Sequence, residues 1–303
     1  MGTTWLSDRT PVGVGLRHVH YQDLLATPAD LDFVEVHSEN FFASGGASLA
    51  ILDDVAKQYP VSLHGTSLGL GSVLGIQARH IESLARLAES VSPVLISDHA
   101  AFAWGQVDGQ THHGGDLLPI AFNEASLAVL TDNIQRVQER LDRGILVENL
   151  SAYLTPPGSN LTETEFFRAL VKRSGCRLLV DLNNLAVNAI NSAKDDVLAD
   201  IQQWLDQIPA EYVGEIHLAG CTPPAHGELM IDDHSQRVSE VVWHAYHHAI
   251  GRFGQVPTLV EWDTQLPEWQ VLLGEVDKAR NIAAEALADR NARPVNALQG
   301  QSL

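Results

Sequence analysis

The sequence has few cysteines and no long apolar segment. Cys176 and Cys221 are the two cysteines, too few for a disulfide framework, and they suit a reducing compartment. No apolar run approaches the roughly 20 residues that a membrane-spanning helix requires. Residues 1–11 lack the basic and apolar segments of a signal peptide. These absences predict a cytoplasmic protein without a membrane span.

Positive charge is also scarce. The chain has 19 Lys and Arg residues against 38 Asp and Glu residues, for a formal net charge of −19. Such an acidic surface argues against nucleic acids and anionic membranes as partners. It is compatible with a site that binds cations through carboxylates, and the 14 histidines would add nitrogen ligands.

Several catalytic motifs are missing. The sequence contains neither the G-x-S-x-G turn of serine hydrolases nor the H-E-x-x-H helix of zinc proteases. Gly13 and Gly15 lie inside an apolar run instead of opening a helix, so they do not form the phosphate-binding turn of a dinucleotide fold. This weighs against a doubly wound open sheet, which is the alternative architecture.

Short apolar runs alternate with helical patterns along the chain. Several runs are nearly continuous Val, Ile and Leu, which is typical of strands buried on both faces. The eight runs cover residues 11–17, 31–37, 61–64, 93–99, 144–149, 177–181, 213–217 and 257–261. This alternation predicts an α/β protein with a single (β/α)8 (TIM) barrel domain over residues 1–290. Residues 291–303 are expected to form a flexible tail, and residues 105–119 a long functional loop.

Six successive runs end in, or next to, a residue that can bind a metal. Because the C-terminal ends of barrel strands meet at one face, these side chains are expected to share a site. They are His64, His99, Glu148, Asp181, His217 and Glu261, with Asp232, His234, Asn183 and Asn184 in the loops that follow. Imidazole and carboxylate ligands suit Fe, Zn, Mn or Co. Because so many carboxylates would repel one another, two or three ions are expected, with Glu148 or another carboxylate as a bridge.

Each of these residues also has an ordinary structural role open to it. A strand-end histidine can simply be hydrogen-bonded, and Asp181 can cap a helix. Their joint occurrence at six strand ends favours the metal site, and the scarcity of thiolates argues against an iron–sulfur cluster. His37, Glu39 and Asn40 after the second run, and His113 in the long loop, are candidates for substrate contact, with packing as the alternative.

Ordered motifs along residues 11–290 resemble those of a known family. They include PVGVGLR, FVEVHSENFF, SLHGTSLGLGS, ISDHAAF, LVENLSAYL, LVDLNNLAVNA, EIHLAG, IDDHSQRV and LVEWD. Together they resemble the DUF692 (UPF0276) family, the multinuclear non-haem iron-dependent oxidative enzymes. The resemblance implies a TIM barrel with two or three irons at its mouth.

The resemblance also implies roles for individual residues. His64, His99 and Glu148 would hold one iron, and Asp181, His217 and Glu261 a neighbouring one. Asp232 and His234 would belong to a third site, with Asn184 preferred to Asn183. Of these residues, His64, Glu148, Asp181 and His217 are the expected catalytic group.

Family resemblance further implies O2 as co-substrate and a cysteine-containing, ribosomally made peptide as substrate. A small partner protein would capture the peptide leader. The DDHSQRV motif and the long loop favour excision of the β-carbon of a C-terminal Cys, as in 3-thiaglutamate synthesis. Conversion of internal cysteines to oxazolone and thioamide, as in methanobactin synthesis, is the alternative. A metal-dependent sugar isomerase or endonuclease, and a non-enzymatic metal-binding scaffold, are the rival classes.

Overall fold

A closed barrel of eight parallel strands forms the centre of the molecule. The computed structural model describes residues 9–225 and 227–292. The barrel strands are β1 (Val12–Gly15), β2 (Phe33–His37), β3 (Val61–His64), β4 (Leu95–His99), β7 (Leu146–Glu148), β8 (Arg177–Asp181), β9 (Val213–Leu218) and β10 (Thr258–Val260). Around the barrel they are ordered β1-β10-β9-β8-β7-β4-β3-β2. Each of the eight predicted runs corresponds to one of these strands, and the predicted TIM barrel is confirmed.

Helices lie between the barrel strands and cover the outside of the barrel. They are α1 (Tyr21–Ala26), α2 (Ala47–Ala56), α3 (Ala78–Val91), α4 (Glu124–Leu141), α5 (Glu163–Ser174), α6 (Leu182–Asn191), α7 (Val197–Gln207), α8 (Glu240–Phe253) and α9 (Trp269–Ala292). In the part of the chain that the structure describes, none of them is both long and apolar enough to cross a bilayer.

Local sequence signals explain where individual helices begin and end. Thr162 accepts a hydrogen bond from the backbone of Glu165, and the Glu165 side chain bonds back to Thr162, which completes a capping box for α5. The helix ends where Gly175 adopts a left-handed conformation, φ 74°. Helix α4 buries Leu127 and Leu130, which are one and two turns from its start, against the barrel.

The prediction of a long loop after β4 is wrong, because most of this segment forms a β-hairpin. Strands β5 (Ala101–Val107) and β6 (Gln110–Pro119) pair antiparallel. Asp108 and Gly109 connect them with φ angles of 49° and 77°. Two successive positive φ angles fit the tight hairpin turns that favour Asp-Gly. Asp-Gly between two extended segments was therefore a hairpin signal in the sequence.

The C-terminal boundary differs slightly from the prediction. Helix α9 continues through Ala292, so the barrel domain extends beyond the predicted boundary at residue 290. Residues 293–303, which make up nearly all of the predicted tail, lie outside the described residues.

Candidate metal centre

The predicted strand-end residues come together at one mouth of the barrel. His64, His99, Glu148 and Asp181 are the last residues of β3, β4, β7 and β8. In the sheet register His99 pairs with Glu148 and Asp181 with His217. His217 lies in β9 and Glu261 directly follows β10. All six are buried. A cavity of about 170 Å³ opens above them, bordered by His64, His99, Glu148 and Glu261.

His64, His99 and Glu148 form the first ligand group. Oε2 of Glu148 lies 3.2 Å from Nε2 of His99 and 3.5 Å from Nε2 of His64. Two ligand atoms that sit about 2.1 Å from a shared ion, at right angles to each other, are about 3 Å apart. The three atoms are thus spaced as ligands of one ion would be.

Both imidazoles of this group are held by their other ring nitrogen. Nδ1 of His99 lies 3.1 Å from the backbone oxygen of Gly65. Because a carbonyl can only accept, Nδ1 of His99 carries the proton and Nε2 offers a lone pair to the cavity. Nδ1 of His64 lies 2.8 Å from Oγ of Ser97, which orients that ring.

Gly65 has a steric reason to be glycine. A Cβ at this position would run into the carboxylate of Asp98. Asp98 in turn accepts hydrogen bonds from the backbone of His99 and Leu68. The glycine therefore allows β3 and β4 to approach closely enough to position His99.

Asp181, His217, Glu261 and His234 form the second ligand group. Oε2 of Glu261 lies 3.1 Å from Nδ1 of His217 and 3.3 Å from Nδ1 of His234. Oδ2 of Asp181 is 3.9 Å from Nε2 of His234. Glu148 also lies within ligand distance of Asp181 and His217, so it belongs to both groups. The bridging role of Glu148 stays a prediction, and its position between the two groups is compatible with it.

Asp181 caps a helix with one carboxylate oxygen, while its other oxygen makes no hydrogen bond. Oδ1 of Asp181 accepts a hydrogen bond from the backbone of Asn184 and so caps α6. Oδ2 is buried and has no hydrogen-bond partner. Helix capping and metal binding are therefore compatible at this residue.

The loop residues Asp232 and His234 lie beside the second group. Oδ1 of Asp232 is 2.7 Å from Nε2 of His234 and also accepts a hydrogen bond from Asn183. His234 has a left-handed φ of 41°, an uncommon conformation for a residue with a Cβ. Such strained residues cluster at functional sites.

The two asparagines of α6 point in different directions. Asn183 donates to Asp232 and to Sγ of Cys221. Asn184 donates to Oε1 of Glu148, while its own Oδ1 is buried without a partner and the residue borders the cavity. The free amide oxygen supports the preference for Asn184 as a ligand.

Unpaired buried polar atoms at the mouth fit bound cations. Within the described residues, these atoms include Oε2 of Glu148, Oδ2 of Asp181 and Oδ1 of Asn184. Burying such atoms without partners is costly, since each loses its hydrogen bonds to water. One or more bound metal ions would satisfy them together, and oxygen and imidazole donors of this kind suit Fe, Zn, Mn or Co.

Electrostatics leads to the same conclusion. Burial raises the pKa of Asp181 to about 7, despite the opposing effect of His234. It also raises the pKa of Glu148 well above its ordinary value. Burial lowers the pKa of His99 to about 4, which keeps the imidazole neutral as a ligand must be. Although burial opposes it, neighbouring carboxylates raise the pKa of His217 and His234 well above the ordinary value. Without metal ions, the site therefore balances its carboxylates by keeping Asp181 and Glu148 largely protonated and by protonating these two imidazoles.

Four charged residues of the site were not among the predicted ligands. Glu35 and Glu215 lie in the barrel interior, two residues before His37 and His217 on the same face of their strands. Asp263 lies 3.3 Å from Nδ1 of His234. Arg17 is buried and forms ion pairs with Glu261 and Asp263. In VEVH, GEIH and EWD, each of the three carboxylates lies two residues from another site residue. This spacing in the sequence could have identified them.

Of the four residues predicted to contact substrate, His37 borders the cavity. Glu39 instead accepts hydrogen bonds from the backbone of residues 66 and 67 and pairs with His80 at 3.3 Å. Asn40 is exposed. His113 lies on β6, where its ring packs edge-on against Trp104.

Comparison with known sequences identifies the family. The model of the family described as "RiPP precursor modification enzyme MbnB/TglH/ChrH" matches residues 11–284. The chain belongs to this family. A UPF0276 protein of Vibrio parahaemolyticus is 41% identical over 276 residues, covering 90% of this chain and 93% of the relative. One from Paraburkholderia phytofirmans is 38% identical over 284 residues, covering 91% and 88%.

Membership in the MbnB/TglH/ChrH family identifies the chain as an enzyme that modifies a precursor peptide. Solved structures share its fold. Endonuclease IV from Thermus thermophilus has a TM-score of 0.56 at 13% identity, covering 92% of this chain and 99% of that one. D-psicose 3-epimerase from Clostridium cellulolyticum has a TM-score of 0.54 at 10% identity, covering 93% and 98%. At these identities the likeness concerns the barrel alone.

Proposed function

We propose that this enzyme uses iron and O2 to modify a cysteine of a ribosomally made peptide oxidatively. The observation that carries the proposal is the pair of adjoining ligand groups joined by Glu148 in one cavity. The chain's membership in a family of peptide-modifying enzymes supplies the substrate class.

The iron ligands in this proposal follow the two groups at the mouth. His64 and His99 would hold one ion together with Glu148, while Asp181, His217 and Glu261 would hold a second. Asp232, His234 and Asn184 would complete a third site or the coordination of the second. When bound, iron supplies the one-electron chemistry by which O2 becomes a reactive oxidant.

Residues of this chain contribute binding, orientation and shielding. Arg17 fixes the carboxylates of Glu261 and Asp263 through ion pairs of 3.2 and 2.5 Å. Ser97 and the Gly65 carbonyl hold the imidazoles of the first group in place. Tyr153 and Ser151 border the cavity and present the surface past which the peptide reaches the metal ligands.

Within this chemistry, we favour excision of the β-carbon of a C-terminal cysteine, which balances if the lost CH2 takes up one O2 and leaves as formic acid. Conversion of internal cysteines to oxazolone and thioamide is the second possibility that family membership supports. In either case His64, Glu148, Asp181 and His217 are the proposed catalytic residues. A small protein that captures the peptide leader is the proposed partner.

The proposal is tested by metal analysis and mass spectrometry. The protein is purified anaerobically, its metals are quantified, and candidate precursor peptides are co-expressed with and without it. We expect iron, O2 consumption, and a peptide lighter by one methylene at its C-terminal Cys. The His64→Ala variant should lose both iron and turnover.

Other outcomes point to other functions. A mass change at internal cysteines would select oxazolone and thioamide formation. Zinc or manganese alone, without O2 consumption on any cysteine peptide, would overturn the oxidative function in favour of isomerase or nuclease chemistry. Full turnover by His64→Ala would contradict the ligand assignment.

A further inference from the structure

An apolar cavity of about 80 Å³ lies beside the candidate metal centre. It opens between the base of the β5–β6 hairpin and the chain segment that follows β7. Its apolar lining comes mainly from Ala100, Ile120, Phe122, Leu150, Ala152 and Leu154. The mechanism proposed above gives this cavity no role.

The apolar cavity adjoins the metal-lined one closely, because three chain segments border both. His99 lines the metal cavity, and the next residue, Ala100, lines the apolar one. On the hairpin, Leu117 faces the first cavity and Pro119 the second. Leu150 borders both. The two cavities therefore lie side by side at the barrel mouth.

Residues 150–154 form the wall between the two cavities. Along this segment, Ser151 and Tyr153 face the metal cavity, whereas Ala152 and Leu154 face the apolar one. Asn188 of α6 holds the segment from both sides, since it donates to the backbone oxygen of Leu150 and accepts from the backbone nitrogen of Ala152. The wall is thus fixed by hydrogen bonds to a barrel helix.

Large side chains at the rim of the apolar cavity are exposed to solvent. Leu154 is 61% exposed and neighbouring Tyr153 is 41% exposed. Large apolar side chains grouped beside a polar site are a common mark of ligand binding. Their position beside the metal cavity points to the same ligand, which in the proposed function is the peptide.

The size of the cavity limits what can enter it. A cavity of about 150 Å³ lined by Leu, Ile and Phe takes up benzene. A pocket of about 80 Å³ is smaller, which favours a branched aliphatic side chain over an aromatic ring. In an extended peptide, residues two positions apart place their side chains on the same side, about 7 Å apart.

We infer that this cavity is a specificity pocket for an aliphatic side chain of the peptide substrate, within two positions of the cysteine that is modified. The inference rests on the proposed function, because it takes the peptide cysteine to lie in the metal cavity. Burial of Leu or Val in the pocket then selects among peptides, while the metal ligands act on the cysteine.

The test measures binding separately from turnover. Fluorescein-labelled synthetic peptides that end in Cys carry Leu, Val, Ala, Phe or Asp at each of the two preceding positions in turn. Their binding to the anaerobically purified protein, with its own metals, is followed by fluorescence anisotropy. We expect the Leu and Val peptides to bind about tenfold more tightly than the Ala, Phe and Asp peptides.

Two variants locate the preference. Ala152→Leu fills the pocket and should abolish the advantage of the Leu peptide over the Ala peptide. Leu154→Asp changes an exposed rim residue, so it is expected to fold normally and to weaken binding of the Leu peptide. Ala128→Leu, at an exposed position on α4, is the matched control and should change nothing.

The outcomes separate this inference from the proposed function. If the wild type binds the Leu and Ala peptides equally, the specificity pocket is overturned while peptide binding stands. The same holds if the Leu preference survives in both Ala152→Leu and Leu154→Asp. If none of the cysteine peptides binds, the pocket is overturned, whereas the proposed function is decided separately by co-expression with precursor peptides.

Discussion

Replacing Asp181 with Asn should have opposite effects on the metal-free and the metal-bound protein. Oδ1 of Asp181 caps α6, and Asn caps helices about as well as Asp, so the capping hydrogen bond survives. The substitution removes a negative charge that is fully buried among other carboxylates. It also removes an oxygen that metal binding would use.

The size of the effect follows from the pKa. Burial raises the pKa of Asp181 from 3.8 to about 7 in the metal-free protein. At about 1.4 kcal/mol per pKa unit, ionising this carboxyl costs the folded state up to about 4 kcal/mol above neutral pH. The new amide group would lie near His234 without a partner, which costs about 1–3 kcal/mol. A net gain in unfolding free energy of about 1–3 kcal/mol remains.

The pH dependence gives the sign of the effect. Between about pH 4 and pH 7, the folded wild type binds more protons at Asp181 than the unfolded chain does, so its stability falls as the pH rises. The advantage of Asp181→Asn should therefore be absent near pH 4 and complete above pH 7. Urea unfolding of chelator-treated protein measures it directly.

Metal addition should reverse which of the two proteins is the more stable. Iron(II), added anaerobically, should raise the melting temperature of the wild type much more than that of Asp181→Asn, because binding to the folded state stabilises it. Asp196→Asn, at the exposed N-cap of α7, is the matched control. It should change neither the unfolding free energy of the metal-free protein nor the rise in melting temperature on adding iron(II). A stability gain that does not vary with pH would refute the charge argument. An unchanged response to iron would refute the ligand role.

Four further substitutions test the geometry of the first ligand group. Glu148→Gln should release more than one metal ion per chain by elemental analysis, whereas His99→Ala should release one, because Glu148 belongs to both ligand groups. Ser97→Ala should weaken metal binding about 10- to 100-fold in chelator competition, as for other residues that orient a ligand; the equally buried Ser83→Ala on α3 should not. Gly65→Ala should lower both metal content and melting temperature, because a Cβ would displace Asp98; normal values for both would contradict the role of close strand approach.

The main features of the site follow from the sequence because barrel topology is restrictive. Once eight strands are recognised, their C-terminal ends must meet, and residues such as His64 and Asp181 are brought together whatever the helices do. Glu35 and Glu215 escaped the same argument because they lie inside their strands, where a charged residue was not expected. Each lies two residues before His37 or His217, and side chains two residues apart in a strand lie on the same face. This spacing was enough to predict that they belong to the site.

Other details depend on three-dimensional packing. Asn183 and Asn184 are adjacent in the first turn of α6, and a rotation of about 100° separates their directions. Which amide faces Glu148 is therefore decided by how α6 packs, not by local sequence. The hairpin is different, because Asp108-Gly109 is a turn signal that the local sequence carries by itself.

The wall formed by residues 150–154 has an evolutionary consequence. Ser151 and Tyr153 face the metal cavity, while Ala152 and Leu154 face the apolar one. Mutations on one side of this short stretch can alter which peptides are accepted without disturbing the ligands on the other. Under our proposals, homologues that keep every metal ligand can diverge in substrate through a few such positions. The reaction can therefore be conserved among homologues while the peptide substrate changes.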